Sequence, residues 1–296
     1  MKVKFYGVRG SYPTSSQANI YTGGNTSCVL IETSDGKIII LDAGTGIKNL
    51  GLDLFKREFK SGSGEAHILL THTMWDHIEG IPFFKPFYIE GNRFTVYCGR
   101  QNDTNIKSIL EGQQENIYFP VPFSQLNAII NFVEISESQE FYIGKAKINT
   151  VRLNHPENTL GFRIEDSGKV ITYITDTAPY KTLLLSRMLK EEAKDNEAKY
   201  IKKRHEDLIK ANMNSDFMIF DAHFTPEGIK NKEHWGHSTW EYAVEIALAA
   251  KVKALGLFHH APENDDEIVN SIFFQLKKMK FPFKILSCKE KLALSF

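Results

Sequence analysis

The densest group of chemically useful side chains is the heptapeptide Thr-His-Thr-Met-Trp-Asp-His near the start of the chain. His72, Asp76 and His77 supply imidazole nitrogens and a carboxylate, the donors that borderline divalent metals take in proteins. The apolar residues 68–70 before them are typical of a buried strand, which would hold the group rigidly. Met74 stands two residues after His72, where a third histidine would complete a dense ligand cluster. The sequence therefore predicts a metal site in which one member is changed.

Histidines and aspartates also follow other predicted strands, each time at the carboxyl end. Loops at strand ends are carried on a rigid scaffold and often supply functional side chains. A lone histidine is usually structural, but this repetition favours a shared metal centre, and two divalent ions about 3.5–4 Å apart would share a bridging carboxylate. The residues concerned, besides the first group, are Asp42, His155, Asp176, Asp221, His223, His259 and His260.

Predicted strands dominate both halves of the chain, and helices are interspersed. This pattern fits two mixed sheets packed face to face with helices outside. An irregular stretch is predicted over 101–130, and the chain is predicted to end in a last strand at 283–288. The remaining strand-forming runs are 2–8, 26–33, 37–44, 66–72, 94–99, 129–135, 140–153, 159–176, 216–222 and 253–260, and the helical runs are 44–59, 181–212, 238–252 and 265–279.

The motif around His72 resembles the THxHxDH signature of the metallo-β-lactamase fold superfamily. Further matching motifs run along nearly the whole chain: VRGSYPT, GGNTSCVLIE, IIILDAGTGI, NHPENTLGFRI, YITDT, WGHSTW and LFHHAP. Their order is similar to that in the branch with cyclic-nucleotide phosphodiesterases, phosphoribosyl cyclic phosphodiesterase and the tRNA 3′-processing ribonuclease. The resemblance implies an α/β fold, a four-layer αββα sandwich of two mixed β-sheets with outer helices. It implies one hydrolase domain over residues 1–296, with a charged helical insertion at about 183–212.

The resemblance also implies ligands for two metal ions. His260 is the rival of His259, which is preferred because its spacing to Pro262 resembles that in the ribonuclease branch. The first ion's positions fall on His72, Met74 and His155, the second ion's fall on Asp76, His77 and His259, and the bridging carboxylate falls on Asp176.

Catalysis is assigned by the same resemblance to Asp76 and to His237, which matches a histidine that faces the scissile phosphate. Asp42 matches an aspartate that orients the metal-binding loop. His223 and His260 are expected to support a ligand or to contact substrate. For Asp76 a structural alternative is open, because an aspartate before HIEGIPFF could cap the start of a helix.

Met74 decides how many ions such a site could hold. A thioether is a soft donor, a poor ligand for Mn²⁺ or Mg²⁺ and not a usual one for Zn²⁺. Three outcomes are open: one ion at the second position, two ions with a substitute donor, or a silent binding module. His223 is the candidate substitute and His234 a weaker one. The complete second position favours a working site with one or two divalent ions, Zn²⁺ or Mn²⁺, and Fe is also compatible.

Composition restricts the partners. The 36 Lys and Arg residues balance 36 Asp and Glu residues, so the net charge of zero gives no general attraction to nucleic acid or anionic membrane. Residues 187–210 hold eight Lys or Arg and six Asp or Glu, which is typical of a solvated or dimer-contacting helix. The three cysteines are scattered, and no stretch is apolar enough to span a bilayer. A cytoplasmic location is therefore expected.

The expected substrate is a small phosphodiester such as a cyclic nucleotide. Neither nucleic acid nor a membrane is an expected partner, and a homodimer is left open. One alternative is a tRNA 3′-processing ribonuclease, which shares the ligands and the His237 motif but would want a basic extension to hold RNA. The other is a catalytically weak or silent binding or regulatory protein. A lactamase is only weakly indicated, because the GHST feature belongs to the phosphodiesterase branch.

Overall fold

Two mixed β-sheets form the centre of the molecule. The computed structural model describes residues 1–101, 104–156, 158–180, 194 and 196–296. Within these residues each sheet has seven strands. The first sheet contains, in chain order, β1 (Lys2–Gly7), β2 (Cys28–Glu32), β3 (Ile38–Leu41), β4 (Glu65–Leu69), β5 (Arg93–Gly99), β6 (Ile129–Ile135) and β14 (Ala293–Ser295). The second contains β7 (Glu140–Ile143), β8 (Ala146–Arg152), β9 (Leu160–Asp166), β10 (Lys169–Ile174), β11 (Phe217–Asp221), β12 (Ala254–Phe258) and β13 (Lys284–Ser287).

Helices cover the outer faces of the sheets. Those of the described residues are α1 (Gly46–Leu54), α2 (Trp75–Ile78), α3 (Ile106–Gln113), α4 (Glu197–Asn212), α5 (Trp240–Ala249) and α6 (Asp266–Lys278). Three apolar clusters lie between the layers. One joins the two sheets, one joins the first sheet to α1 and α3, and one joins the second sheet to α4, α5 and α6. The predicted four-layer αββα sandwich is therefore confirmed.

Strand direction explains why the strand-end side chains meet. The order of the first sheet is β14-β1-β2-β3-β4-β5-β6, and that of the second is β13-β12-β11-β10-β9-β8-β7. Strands β3 to β6 are parallel, and so are β10 to β13. Strand β8 runs in the direction of β10, because both are antiparallel to β9. The carboxyl ends of these strands therefore share one edge of each sheet, as the sequence predicts.

Two secondary-structure predictions are wrong in part. Helix α3 lies in the stretch 101–130 that is predicted to be irregular; it begins after Asn105, whose side chain accepts a hydrogen bond from the backbone of Ser108. Its apolar positions at 106 and 110 are buried. The strand at 283–288 is not the last, because β14 follows it and pairs with β1.

Two predicted helices differ in extent. The helix predicted over 44–59 ends at Leu54, and a short 3₁₀ turn follows at Glu58–Ser61. Of the charged segment predicted over 181–212, Glu197–Asn212 is helical, whereas 181–193 and 195 lie outside the described residues. Among the helices that are described, none has the length and apolar character needed to cross a membrane.

Candidate metal centre

Three acidic or imidazole residues at strand ends take left-handed backbone conformations. The φ angles are 58° at Asp42, 55° at Asp176 and 61° at His259. Such angles are uncommon outside glycine and cost of order 1–3 kcal/mol each, so they persist where the surrounding structure enforces them. They follow β3, β10 and β12 and turn the chain sharply at the shared sheet edge. Three of the ten described non-glycine residues with a positive φ thus lie at the site that the sequence predicts.

Four buried side chains, Asp76, His77, Asp176 and His259, converge on one point. Oδ1 of Asp176 lies 3.2 Å from Nε2 of His77 and 3.3 Å from Nε2 of His259. Oδ2 of Asp76 lies 3.3 Å and 3.2 Å from the same two nitrogens. Two imidazoles and two carboxylates at these separations form a donor set suited to Zn²⁺ or a harder divalent ion. We call these residues the carboxylate-rich group.

Asp42 sets the orientation of His77. Its Oδ2 lies 2.8 Å from Nδ1 of His77 and accepts a hydrogen bond of 2.9 Å from the Tyr173 hydroxyl. Nε2 of His77 therefore faces the group. Burial would lower the pKa of His77, but the carboxylates of Asp76, Asp176 and Asp42 outweigh it and hold that pKa well above its usual value. Carboxylate support of a ligand imidazole is common at metal sites.

The buried donor atoms fit a metal ion. Nε2 of His77 and Nε2 of His72 are both buried and have no hydrogen-bond partner. The carboxylate oxygens near His77 lie outside hydrogen-bond geometry, although they are as close as 3.2 Å. A buried polar atom without a partner is costly, and buried polar groups are nearly always satisfied. An ion among these atoms would remove that cost.

A second group contains His72, His155 and Asp176. Nε2 of His72 lies 3.8 Å from Oδ2 of Asp176, and the rings of His72 and His155 are 5.0 Å apart. Met74 contributes a sulfur atom 3.3 Å from Nε2 of His155. We call His72, Met74 and His155, together with Asp176, the methionine group. The two groups share Asp176, which is the residue predicted to bridge them.

The methionine group is unusual in its third donor. Burial lowers the pKa of His155 to about 4 and that of His72 well below its usual value, so both rings are neutral near pH 7. Neutral imidazole is the form that binds metals. Whether a divalent ion binds here depends on the sulfur of Met74, which is a weak donor for such ions.

His260, His223 and His234 are among the histidines that lie outside both groups. His260 is buried, and its Nε2 lies 3.0 Å from the carbonyl oxygen of Cys288, so the structure brings His259 and not its rival to the site. His223 stacks on His237 with ring centres 4.3 Å apart. The sequence makes His223 a candidate substitute for the nitrogen that Met74 removes. The structure does not bring His223 to the methionine group. His234, the weaker candidate, is exposed.

The proposed helix-capping role of Asp76 is wrong. Helix α2 begins at Trp75, so Asp76 lies inside its first turn, and the capping position is Met74. The carboxylate of Asp76 instead accepts a 2.7 Å hydrogen bond from the backbone of Ser11 and faces His77 and His259.

His237 lies between the two groups. Its ring centre is 5.5 Å from that of His155 and 5.1 Å from that of His259. Its Nδ1 lies 3.1 Å from Oδ2 of Asp221. Burial would lower the pKa of His237, but the negative charges of Asp221 and then of Asp176 outweigh it and raise that pKa. His237 is thus held as a proton donor beside the predicted ligands.

Asp221 and His223 complete this side of the site. Asp221 accepts backbone hydrogen bonds from Thr177 and His223, at 3.2 and 3.0 Å, which fixes its carboxylate beneath His237. Nδ1 of His223 donates to the carbonyl oxygen of His259, at 2.9 Å. Burial and the charges of His237 and His259 hold the pKa of His223 well below its usual value. The pKa values of the two stacked rings are therefore shifted in opposite directions, that of His237 upward and that of His223 downward.

Two glycines that the sequence reasoning missed shape the site. A Cβ atom on Gly10 would lie 2.4 Å from Cε1 of His259, and one on Gly236 would lie 2.2 Å from Nδ1 of His155. Gly236 also has a φ of 92° and accepts a hydrogen bond from Nδ1 of His155 through its carbonyl oxygen. Both glycines lie in quoted motifs, VRGSYPT and WGHSTW, but the histidines that they approach follow other strands, so local sequence gives no signal of this closeness.

Comparison with known proteins identifies the family. Residues 38–260 match the beta-lactamase superfamily domain. The chain belongs to the beta-lactamase superfamily. The matching range contains every residue of both ligand groups. The predicted metallo-β-lactamase branch is also confirmed.

Curated relatives and solved structures agree with this assignment. The ribonuclease Z of Haloarcula marismortui is 21% identical over 289 residues, covering 88% of this chain and 86% of that protein. The metallo-β-lactamase fold protein YhfI from Bacillus subtilis superimposes with a TM-score of 0.67 at 15% identity, covering 99% and 98% of the two chains. A diphosphatase of the PhnP family gives 0.62 at 17% identity, covering 100% and 97%. Family and relatives together indicate a metal-dependent hydrolase.

Unequal metal loading is the first testable expectation for this superfamily member. The carboxylate-rich group should bind Zn²⁺ or Mn²⁺ first, because the methionine group has a thioether where a third hard or borderline donor is needed. We expect about one tightly bound divalent ion per chain and a second after Met74→His. Elemental analysis of both proteins after dialysis tests this. If the unmodified protein bound two ions equally tightly, Met74 would not lower the affinity of the methionine group for a divalent ion.

Proposed function

We propose that the protein is a metal-dependent phosphodiesterase that hydrolyses a small phosphodiester, such as a cyclic nucleotide. The observation that carries the proposal is the position of His237 between the two ligand groups, with Asp221 behind it. Phosphodiester hydrolysis needs a group that offsets charge on the phosphoryl oxygens or protonates the leaving oxygen. A histidine with a raised pKa at this position suits both roles.

The ion and the protein would contribute different parts of the reaction. A divalent ion in the carboxylate-rich group would supply Lewis acidity, which lowers the pKa of the attacking water and offsets phosphoryl charge. Asp76, in α2 after β4 of the first sheet, and Asp176, after β10 of the second sheet, would hold that ion from opposite sheets of the sandwich. His237 would hold its proton on Nε2, because Asp221 fixes the ring through Nδ1. His223, held neutral, would accept a hydrogen bond from the substrate or its water.

Exposed aromatic side chains that neighbour site residues in the sequence would suit a substrate with a base. Tyr12, Trp75 and Trp235 are 53%, 65% and 46% exposed. Each is close in sequence to a residue of the site. Tyr12 follows Ser11, whose backbone donates a hydrogen bond to Asp76. Trp75 precedes Asp76, and Trp235 lies two residues before His237. Stacking of a base on an aromatic ring is worth about 1–3 kcal/mol. A nucleotide phosphodiester would gain such contacts, whereas a lactam would not need them.

Turnover of bis-p-nitrophenyl phosphate tests the proposal. The protein is stripped with a chelator, reloaded with Zn²⁺ or Mn²⁺, and assayed on this diester and on cyclic nucleotides. We expect hydrolysis that is lost on chelation and restored by metal. A protein that regains its metal but hydrolyses none of these diesters would contradict the proposal and favour the silent binding protein.

A tRNA-processing ribonuclease is the second candidate, and the curated relatives favour it. The Haloarcula marismortui protein that aligns over 88% of this chain is a ribonuclease Z. The charge of helix α4 argues against a long RNA-binding surface. Arg204 is buried in an ion pair with Glu137, at 2.9 Å, and Lys202 lies 3.9 Å from Glu206. Helix α4 has five Lys or Arg residues and three Asp or Glu residues, so its excess of positive charge is small.

Binding of tRNA should accordingly be weak and its cleavage slow compared with that of a small diester. Each phosphate neutralised contributes roughly −0.9 to the slope of log affinity against log salt for a duplex. We expect a shallow slope in fluorescence-anisotropy titrations of a tRNA carrying a 3′ extension. A slope equivalent to about six contacts or more, with trimming of the 3′ end, would promote the ribonuclease.

Several features of the proposal extend beyond the family assignment. We propose Zn²⁺ or Mn²⁺ as the ion, with Fe also compatible with the donors, and one hydrolase domain over residues 1–296. We also propose a cytoplasmic enzyme without a membrane partner. A homodimer that contacts through the charged segment stays a prediction.

A further inference from the structure

Two atoms of the methionine group, Nε2 of His155 and Sδ of Met74, face each other, and each carries a lone pair. Nδ1 of His155 donates to the carbonyl oxygen of Gly236, at 3.0 Å. A carbonyl only accepts, so the proton of neutral His155 is on Nδ1 and its Nε2 carries a lone pair. That lone pair lies 3.3 Å from Sδ of Met74, which has no proton to donate. Two facing donors without a proton between them favour a cation bound to both.

The hydrogen bond at Nδ1 of His72 likewise leaves a lone pair on its Nε2. The Thr71 hydroxyl lies 3.0 and 3.1 Å from the two oxygens of Asp42 and can give them its single proton. It then accepts from Nδ1 of His72, at 3.0 Å. Nε2 of His72 therefore also carries a lone pair, and it is buried without a hydrogen-bond partner. The methionine group thus offers two neutral imidazole nitrogens and one thioether.

The spacing of these atoms suits a bound ion. Metal–nitrogen and metal–sulfur bonds of about 2.0 and 2.3 Å at a tetrahedral angle place nitrogen and sulfur roughly 3.5 Å apart. The distance between His155 Nε2 and Met74 Sδ is 3.3 Å. Met74 is 36% exposed, so the methionine group is not fully enclosed.

The donors of the two groups differ in kind. Soft sulfur ligands select copper(I), imidazole accommodates copper and zinc, and carboxylates favour harder ions. The carboxylate-rich group has two carboxylates and two imidazoles, whereas the methionine group replaces a nitrogen by sulfur and reaches only the shared Asp176. Two neighbouring sites at the same edge of the sandwich therefore favour different ions, one softer and one harder.

We propose that His72, Met74 and His155 form a binding site for a soft monovalent ion, copper(I), beside the site for a divalent ion. On this view the methionine changes the metal selectivity of the first position and does not simply empty it. The proposal does not depend on phosphodiesterase activity, because it concerns binding alone.

Anaerobic titration of the zinc-loaded protein with copper(I), in competition with a chromogenic chelator, tests this site. We expect one copper(I) per chain and an affinity at least about tenfold lower in Met74→Leu, which keeps the bulk and removes the sulfur. Met279→Leu, which removes an exposed methionine from the end of α6, is the matched control and should bind as the parent does. Zinc content should be equal in all three proteins.

The comparison of the parent protein with Met74→Leu also shows whether copper(I) binds to the buried cysteine thiols instead. Cys28, Cys98 and Cys288 are free and buried, and copper(I) bound to them would be insensitive to Met74. Equal copper(I) affinity in the parent and in Met74→Leu would therefore overturn the proposal.

A second measurement needs no substitution. Protein labelled with selenomethionine and loaded with one copper(I) should show a selenium neighbour in copper-edge X-ray absorption, together with imidazole nitrogens. A copper shell without selenium would overturn the site even if the Met74→Leu protein folded poorly.

Discussion

Asp176→Asn should remove the bound metal ion and bring phosphodiester turnover to background. Asp176 is the carboxylate shared by both ligand groups, and its Oδ1 lies within 3.3 Å of the nitrogens of His77 and His259. An amide keeps the shape of the side chain but has no charge to offset an ion among buried imidazoles. Changing a residue that only supports a ligand typically costs roughly 10–100-fold in affinity or activity, and loss of the shared ligand should exceed that. Elemental analysis and the bis-p-nitrophenyl phosphate assay measure the two losses.

Asp216→Asn is the matched control for this loss. Asp216 is a buried aspartate of the same sheet that accepts from Lys253 and from the backbone of Val170, away from both ligand groups. Its replacement should change stability little, because the partner ammonium groups of Lys253 and Lys169 are exposed to solvent, and it should keep the metal content. Full metal content in Asp176→Asn would contradict the shared-ligand role, whatever happened to turnover.

Much of this site could be predicted from the sequence because its residues follow strands. Largely apolar runs mark β3, β4, β10 and β12, and each ends within a few residues of an aspartate or a histidine. Parallel neighbours place such residues at one edge, so the local pattern already implies their closeness. The resemblance then assigned each position, and the structure brings together all six predicted ligands. Their roles as ligands remain predictions until a metal is measured.

The rest of the site depends on side-chain direction, which sequence spacing does not determine. His259 and His260 are adjacent, but a left-handed turn at His259 points one ring to the cluster and the other to Cys288. His223 also lies at a strand end, yet its ring is fixed by the His259 carbonyl group and stacks on His237. The short elements α3 and β14 were missed because eight and three residues carry little periodic signal.

His237→Ala should leave the metal content unchanged and cut turnover by about 10²–10⁴-fold, the usual range for a positioned proton donor. The histidine is next to the predicted ligands but is held by Asp221, so its removal should not release the ion. His234→Ala is the matched control, because His234 is exposed in the same loop and should affect neither quantity. Loss of the metal together with activity would instead make His237 a ligand.

The leaving group separates the two roles that His237 could have. A nitrophenolate leaves without a proton, whereas the sugar oxygen of a cyclic nucleotide is strongly basic and needs one. If His237 donates that proton, His237→Ala should reduce cyclic-nucleotide hydrolysis far more than hydrolysis of bis-p-nitrophenyl phosphate. If it only stabilises phosphoryl charge, both substrates should lose similar factors, because the charge develops in both transition states. The raised pKa of His237 beside Asp221 and Asp176 favours the first result, since it keeps the ring protonated while the neighbouring His223 stays neutral.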